Sequence, residues 1–391
     1  MFHPELTEIQ GSGPGGGGLA LVLSGGGARA AYQVGLLRSL ARRHPDLQAP
    51  ILVGVSAGAI NAACLAAHPG SFAEAVEHLT RLWHGLEVDN VFRVDARSLL
   101  TNMARWALRL VSGGGRLAPQ VHGLVDTEPL RRFLHASLGA APGGEITGIS
   151  RAVDSGRLRS FAVITSNFGT GQSLVWVDGK NVQAWERPNR RSRRSRITVE
   201  HVMASAALPV FFPAVALDGS WHGDGGIRLT APLAPAIHLG ADRILAISTR
   251  HHKTVDEADR PATCGYPPPL QIMSQLLNAI FLDMLDQDTL RVERLNMLLG
   301  ELAEERRHGL RLVDVEVVRP SRDLGRLAAE VEPHLPRLFR YLTRSLGSRE
   351  TASPDLLSLV MFQPDYCRRL IEIGEADADA GVGALDALLK P

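Results

Sequence analysis

The chain has 391 residues, 45% of them hydrophobic, enough for one large domain with an appendage or for two domains. Its 42 basic and 41 acidic residues leave a formal charge of +1, which argues against a general polyanion binder and excludes nucleic acid as an expected partner. The three cysteines, Cys64, Cys264 and Cys367, are odd in number and far apart. They outline neither a disulfide framework nor a metal site, and they fit a reducing compartment.

Met1 to Gln10 carries Pro4, Glu5 and Glu8 and does not read as a secretory signal. No stretch approaches the roughly 18 uninterrupted apolar residues of a membrane span. The expectation is a cytoplasmic protein whose membrane contact, if any, is peripheral. Residues 1–18 read as a flexible leader, with Gly-rich 11–18 offering nothing to pack. Leu19 to Leu23 is a wholly apolar run of the kind expected for a buried parallel strand. After Ser24 and three glycines, a helix is predicted from about Ala28 to Arg42. Ile51–Val55 reads as a second buried strand and Ala57–Ala67 as an Ala-rich helix. Residues 71–140 read mostly helical, broken by the glycines at 113–115.

Leu158–Thr165 and Ser173–Val177 are predicted strands joined by a turn at 167–171. A helix follows over Thr198–Ala207, ended by Pro209, and further strands are expected at Arg243–Ser248 and Leu312–Val317. A long helical stretch, about Leu270 to Glu305, separates the last two. From Ser321 onward the pattern is short amphipathic helices punctuated by prolines. The alternation of strands and helices predicts an α/β fold with a central, mostly parallel sheet in residues 19–320, followed by a separable helical appendage, 321–391.

Three segments carry chemistry. Gly54-Val55-Ser56-Ala57-Gly58 fits G-x-S-x-G between a strand and a helix. There a sharp turn exposes the serine oxygen, and the flanking glycines let backbone pass close by. Gly25-Gly26-Gly27, also between a strand and a helix, can aim consecutive amide N–H groups into one cavity. In acyl transfer such donors contribute about 2.7–4 kcal/mol each to the transition state. Gly25, Gly27 and Ala30 also satisfy G-x-G-x-x-A, but the second strand ends without the carboxylate that a dinucleotide fold uses to hold a ribose. Asp224-Gly225-Gly226 is a carboxylate amid glycines, open to close approach as a general base must be; alone, it is equally an ordinary Asp-Gly turn.

Taken in order, these segments resemble the patatin-like phospholipases, and the likeness runs from about Leu19 to Val318. It covers Ser24 to Ala30, Gly54 to Gly58, Ala204 to Pro209 with Phe211-Phe212-Pro213, and Asp224 to Gly226. The resemblance implies a three-layer fold and a metal-independent, cofactor-free lipid acyl hydrolase acting on phospholipids or lysophospholipids. It assigns Ser56 as nucleophile, Asp224 as base and the Gly25, Gly26 and Gly27 amides as oxyanion hole, and it gives Arg29, Gly54, Gly58, Gly225 and Gly226 supporting positions. Ser24 and Ala30 depart from the family's usual Asp and Gly at the ends of the glycine motif.

Other readings remain open at this stage. A Ser-Asp-His triad would draw on His238, His251 or His252, none of which carries a local signature. A non-catalytic lipid-binding regulator would keep the same fold without turnover. Arg187 to Arg196 reads as a basic surface loop that could attract anionic lipid head groups. Leu99, Met103, Trp106 and Leu110 form a helical stripe suited to the core or to an interfacial lid. Phe362 to Tyr366 reads as packing against the main domain or as a docking element. Oligomeric state is not legible.

Overall fold

The computed structural model describes residues 17–93, 123–187, 189–229, 231–252, 254–259, 284–332 and 355–390, with isolated residues between them, and the statements below concern these. The leader up to residue 16, the stripe of Leu99, Met103, Trp106 and Leu110, the glycines at 113–115 and Cys264 lie outside them.

Ten strands form one sheet. Its parallel half runs in the order β10 (Asp314–Val318), β9 (Ala241–Ile247), β1 (Gly18–Leu23), β2 (Ile51–Val55), β3 (Ser160–Asn167). Gly18, expected in the leader, already belongs to β1. The apolar runs reflect burial on both faces. Leu19, Leu21 and Leu23 point to one core, while Ala20 and Val22 point to the other, so alternation by polarity would leave a buried face unsatisfied. Helices α1 (Ala31–Arg43), α2 (Ala57–Ala67) and α3 (Phe72–His84) cover the first face. The second face packs against Leu233 and Ala236 around the short helix Ala234–His238, and against Leu285 and Val292 of the helix Met284–Gly300. This is the three-layer α/β architecture with a mostly parallel sheet.

Beyond β3 the sheet turns antiparallel. β4 (Ser173–Gly179) returns from a tight turn in which Asn167 Oδ1 accepts the N–H groups of Gly169 and Thr170, at 2.8 and 3.0 Å. The basic segment is not a loop. Arg190–Arg194 forms β6, parallel to β4 and hydrogen-bonded to the two-residue β5 (Glu186–Arg187) at the sheet's edge. A strand rich in arginine has no hydrophobic period to read, and charge beside a sheet's edge discourages further pairing. Arg193 reaches Asp218 at 2.9 Å, Arg196 reaches Asp154 at 3.4 Å, and Arg190 lies over the Trp185 ring. A second hairpin, β7 (Val215–Leu217) and β8 (Ser220–Asp224), lays β8 antiparallel to the end of β3 and pairs Asp224 with Thr165.

The helices after residue 321 share the main core. Tyr366, Cys367, Leu370 and Ile371 of the helix Pro364–Ala380 are buried in the cluster that holds Leu36, Leu37 and Leu40 of α1. The two helices approach so closely that a Cβ at Gly35 would overlap the Ile371 carbonyl. Phe362 and Tyr366 belong to the same core.

Candidate active site

The loop after β1, the turn after β2 and the end of β8 meet at the carboxyl ends of the parallel strands. The chain leaves β1 toward β2 on one side, while β9 joins β1 on the other, and such a switch point opens a crevice in an α/β sheet.

Ser56 stands between β2 and α2 with φ 55° and ψ −133°, a left-handed conformation that costs a non-glycine residue roughly 1–3 kcal/mol. Its surroundings enforce that geometry. The Ser56 N–H donates to Ser205 Oγ at 3.0 Å, and the Ser205 hydroxyl donates to the Ile164 carbonyl at 2.6 Å. The Ser56 carbonyl accepts the Ala59 N–H at 2.9 Å. A Cβ at Gly58 would overlap the Leu23 and Ser24 carbonyls, so α2 approaches β1 only because that residue is glycine; Gly54 is similarly crowded by Ala59. The Ser56 side chain does not cap α2, which leaves its oxygen available.

The glycine loop is fixed from behind by buried polar side chains. Gln33 Nε2 donates to the Ser24 carbonyl at 2.8 Å; Asn61 Nδ2 donates to Gln33 Oε1 at 2.9 Å; Trp83 Nε1 donates to Asn61 Oδ1 at 2.8 Å. On the other side the Thr249 hydroxyl donates to the Gly25 carbonyl at 2.5 Å. The N–H groups of Gly25, Gly26 and Gly27 donate to no acceptor among the described residues. Gly25 packs directly against Ser56, since a Cβ there would stand 2.9 Å from the serine Cβ, and Gly26 and Gly27 line the same pocket as Ser56.

Asp224 is fully buried at the end of β8. Its N–H donates to the Ala207 carbonyl at 3.0 Å, and its Oδ1 accepts the Gly226 N–H at 2.9 Å. Gly225 lets the chain turn against the Ile164 carbonyl. Oδ2 has no partner of regular hydrogen-bond geometry, and the Ser56 hydroxyl faces the carboxylate. Burial pushes the Asp224 carboxyl up to about 7, against smaller opposing contributions from the Ser56 hydroxyl and the Gly226 N–H. Serine and aspartate, 168 positions apart in the chain, thus face each other in one pocket.

Apart from Ser137, the rest of that pocket is apolar. Ile60 and Cys64 come from α2, Leu79 and Trp83 from α3, and Leu130 and Leu134 from the helix Glu128–Ser137. Burial pushes the Cys64 thiol up to about 12, so it behaves as a small apolar group. Among the described residues no histidine lines the pocket. His238 stacks on Trp185, its centroid 4.5 Å away, and burial pushes it down to about 4. His251 bonds the Pro320 carbonyl and Glu257 at 2.9 and 3.1 Å, and His252 is exposed. His222, two residues before Asp224, is held by Thr165 Oγ1 at 2.9 Å beneath the strand. Among the described residues no cluster of three or more His, Cys, Asp or Glu side chains is placed to hold a metal ion.

Sequence reasoning did not assign work to Ser205, Thr249, Gln33 or Asn61. Ser205 could have been found, since it lies in the Ala204–Pro209 segment that carries the resemblance. The other three sit where only the fold brings them together. Arg29 does not line the pocket: its side chain is buried and turns away toward Asp355 and Ser358.

The fold is a three-layer α/β architecture in which the serine turn and the buried aspartate line one pocket. The family description "Patatin-like phospholipase" matches residues 21–237, more than half of the chain, and the chain belongs to this family. That membership supports lipid acyl hydrolase activity. Among solved structures the chain is similar to VipD from Legionella pneumophila, at 13% identity and TM-score 0.33, covering 91% of this chain and 67% of that one. It is similar also to human GIVD cytosolic phospholipase A2, at 12% identity and TM-score 0.45, covering 95% of this chain and 60% of that one. A third is ExoU of Pseudomonas aeruginosa, solved with SpcU, at 19% identity and TM-score 0.27 over 61% of this chain and 45% of that one. The chain therefore spans about 60% of the human enzyme. No curated protein matches it. No helix among the described residues is long and apolar enough to cross a membrane.

Proposed function

We propose that the protein hydrolyses fatty-acyl esters of phospholipids or lysophospholipids through a Ser56–Asp224 dyad and an acyl-enzyme. Asp224 takes the proton of the Ser56 hydroxyl as Oγ bonds to the ester carbonyl carbon. The carbonyl electron pair moves onto oxygen, where the Gly25, Gly26 and Gly27 amides receive it. Collapse of this intermediate expels the lipid alcohol, which takes the proton back from Asp224. Water then attacks the acyl carbonyl carbon as its proton passes to Asp224; collapse breaks the bond to Ser56 Oγ, which takes that proton back, and the fatty acid leaves. Gly226 steadies the Asp224 carboxylate through its N–H, and Arg29, Gly54, Gly58 and Gly225 support this geometry without touching the reacting atoms.

One observation carries the reading: a strained serine faces a buried carboxylate of raised pKa beside three uncommitted amides, at the end of an apolar pocket. A carboxylate of ordinary basicity is a weak base for a hydroxyl, and one held near 7 suits catalysis near neutrality. The absence of histidine from the described pocket lining favours a dyad over a triad. The apolar lining suits a fatty-acyl chain. The test is fatty-acid release from phosphatidylcholine and lysophosphatidylcholine by the wild type, Ser56→Ala and single His238, His251 and His252→Ala variants. The proposal expects loss of release in the serine variant alone; release that survives Ser56→Ala, or that collapses with one histidine, contradicts it.

A further inference from the structure

The pocket is not completed by the family-matched residues. Leu359, Val360 and Phe362, more than a hundred residues beyond position 237, line it together with Ser56 and Asp224. Phe362 packs its ring 6.5 Å from Trp83, another lining residue, and 6.3 Å from Phe92. The Leu359 backbone lies so close to Gly27 that a Cβ there would overlap the Leu359 carbonyl. The glycine loop and this C-terminal segment are therefore in direct contact at the reacting end of the pocket.

Arg29 joins the two. Its Nε donates to Ser358 Oγ at 2.6 Å, its Nη2 pairs with the Asp355 carboxylate, and the same nitrogen donates to the Asp355 carbonyl at 3.3 Å. Ser358 is fully buried and donates to the Asp355 carbonyl at 2.5 Å, so the guanidinium grips one turn of helix at two side chains and a backbone oxygen. Lysine could not make that fork. A buried charge of this kind is costly to leave unpaired, which ties the position of the segment to that of the loop two residues upstream of Arg29.

We infer that the segment Asp355–Phe362 is the wall that sets acyl-chain preference, and that Arg29 is the positioning residue that clasps it to the glycine loop. This rests on the hydrolase reading above. Val360 and Phe362 contribute volume that an acyl chain must share. The Arg29–Asp355–Ser358 clasp keeps that wall registered against the oxyanion loop. In a hydrophobic pocket a single methylene can change kcat/KM by roughly 10-fold or more.

The test measures kcat/KM for p-nitrophenyl dodecanoate and butanoate and takes their ratio within each protein. The ratio is independent of how much of a preparation is folded, so a partly unstable variant still reports. Val360→Phe should lower the dodecanoate-to-butanoate ratio by about 10-fold or more, and Phe362→Ala should raise it. Arg29→Lys and Asp355→Asn, which leave every lining side chain in place, should lower it in the same direction as Val360→Phe. Ratios unchanged from wild type across the four variants, in proteins that still hydrolyse both esters, overturn the inference alone. A folded wild type that hydrolyses neither ester and takes up no alkyl fluorophosphonate overturns the hydrolase reading, and this inference with it.

Discussion

At the scale of single residues, the site concentrates cost in two places. Ser56 occupies a left-handed backbone conformation, and Asp224 is a buried carboxyl held near 7. The second cost has a pH signature. An aspartate raised from 3.8 to about 7 retains its proton in the folded state where the unfolded chain has lost it. Its contribution to stability is therefore full below about pH 4 and is lost as pH rises through 7. Asp224→Asn escapes that loss, so thermal melts should show it gaining on wild type between pH 4 and 7, by on the order of 1–4 kcal/mol at pH 8. The same substitution should reduce ester turnover by about 10²–10⁴-fold. Wild-type kcat/KM should rise with pH around 7 as the base ionises, and a flat profile between pH 5.5 and 8 contradicts a tuned aspartate. Ser205→Ala, which strands the Ser56 N–H, should cost about 1–3 kcal/mol and lower kcat without changing that pH midpoint. That Ser56, Asp224 and the glycines meet was legible because the proposed chemistry demands particular residue types at fixed local spacing. Gln33, Asn61 and Thr249 were not, because their partners lie on other elements and nothing in their neighbourhood marks them.

At the scale of elements, the parallel strands and α2 were readable from apolar runs, since a strand buried on both faces leaves no choice of residue type. The edge of the sheet was not. β6 is built from arginine and one inward serine, and β8 from Ser220, Trp221, His222, Gly223 and Asp224, so neither carries a period of two in hydrophobicity. Their pairing is fixed by the strands beside them. If the basic segment meets an anionic membrane, this placement decides which of its arginines face outward. Arg193 and Arg196 are engaged by acids and Arg190 by Trp185, while Arg191 and Arg194 are exposed on β6. Reversing these two charges, Arg191→Glu with Arg194→Glu, should weaken binding to phosphatidylserine vesicles by at least about 10-fold, at roughly 1 kcal/mol per basic residue near the surface. Hydrolysis of a soluble ester should be unaffected. Vesicle binding that does not change would assign the strand a purely structural part.

At the scale of the whole molecule, the C-terminal helices matter most. Proline punctuation and amphipathic pattern suggested an appendage, because sequence shows that a helix has an apolar face but not which surface receives it. The face of Pro364–Ala380 is received by α1, and the segment before it closes the pocket. Ending the chain at residue 320 removes Tyr366, Leu370, Ile371, Leu385 and Leu388 from the core. At about 1.5–3 kcal/mol for each large apolar side chain, that loss is comparable to the entire stability of a typical domain. The truncated chain should be insoluble or lack a cooperative melt, and a soluble, active 17–320 fragment would show the helices to be dispensable.

The claim on which these outcomes converge is that Ser56 is a nucleophile made reactive by Asp224. Intact-mass and peptide mass spectrometry after treatment with an alkyl fluorophosphonate test it most directly. The account predicts one adduct per chain, on Ser56, forming quickly in wild type, far more slowly in Asp224→Asn and not at all in Ser56→Ala. Folded wild-type protein that stays unmodified, or that carries its adduct on another residue, would contradict it.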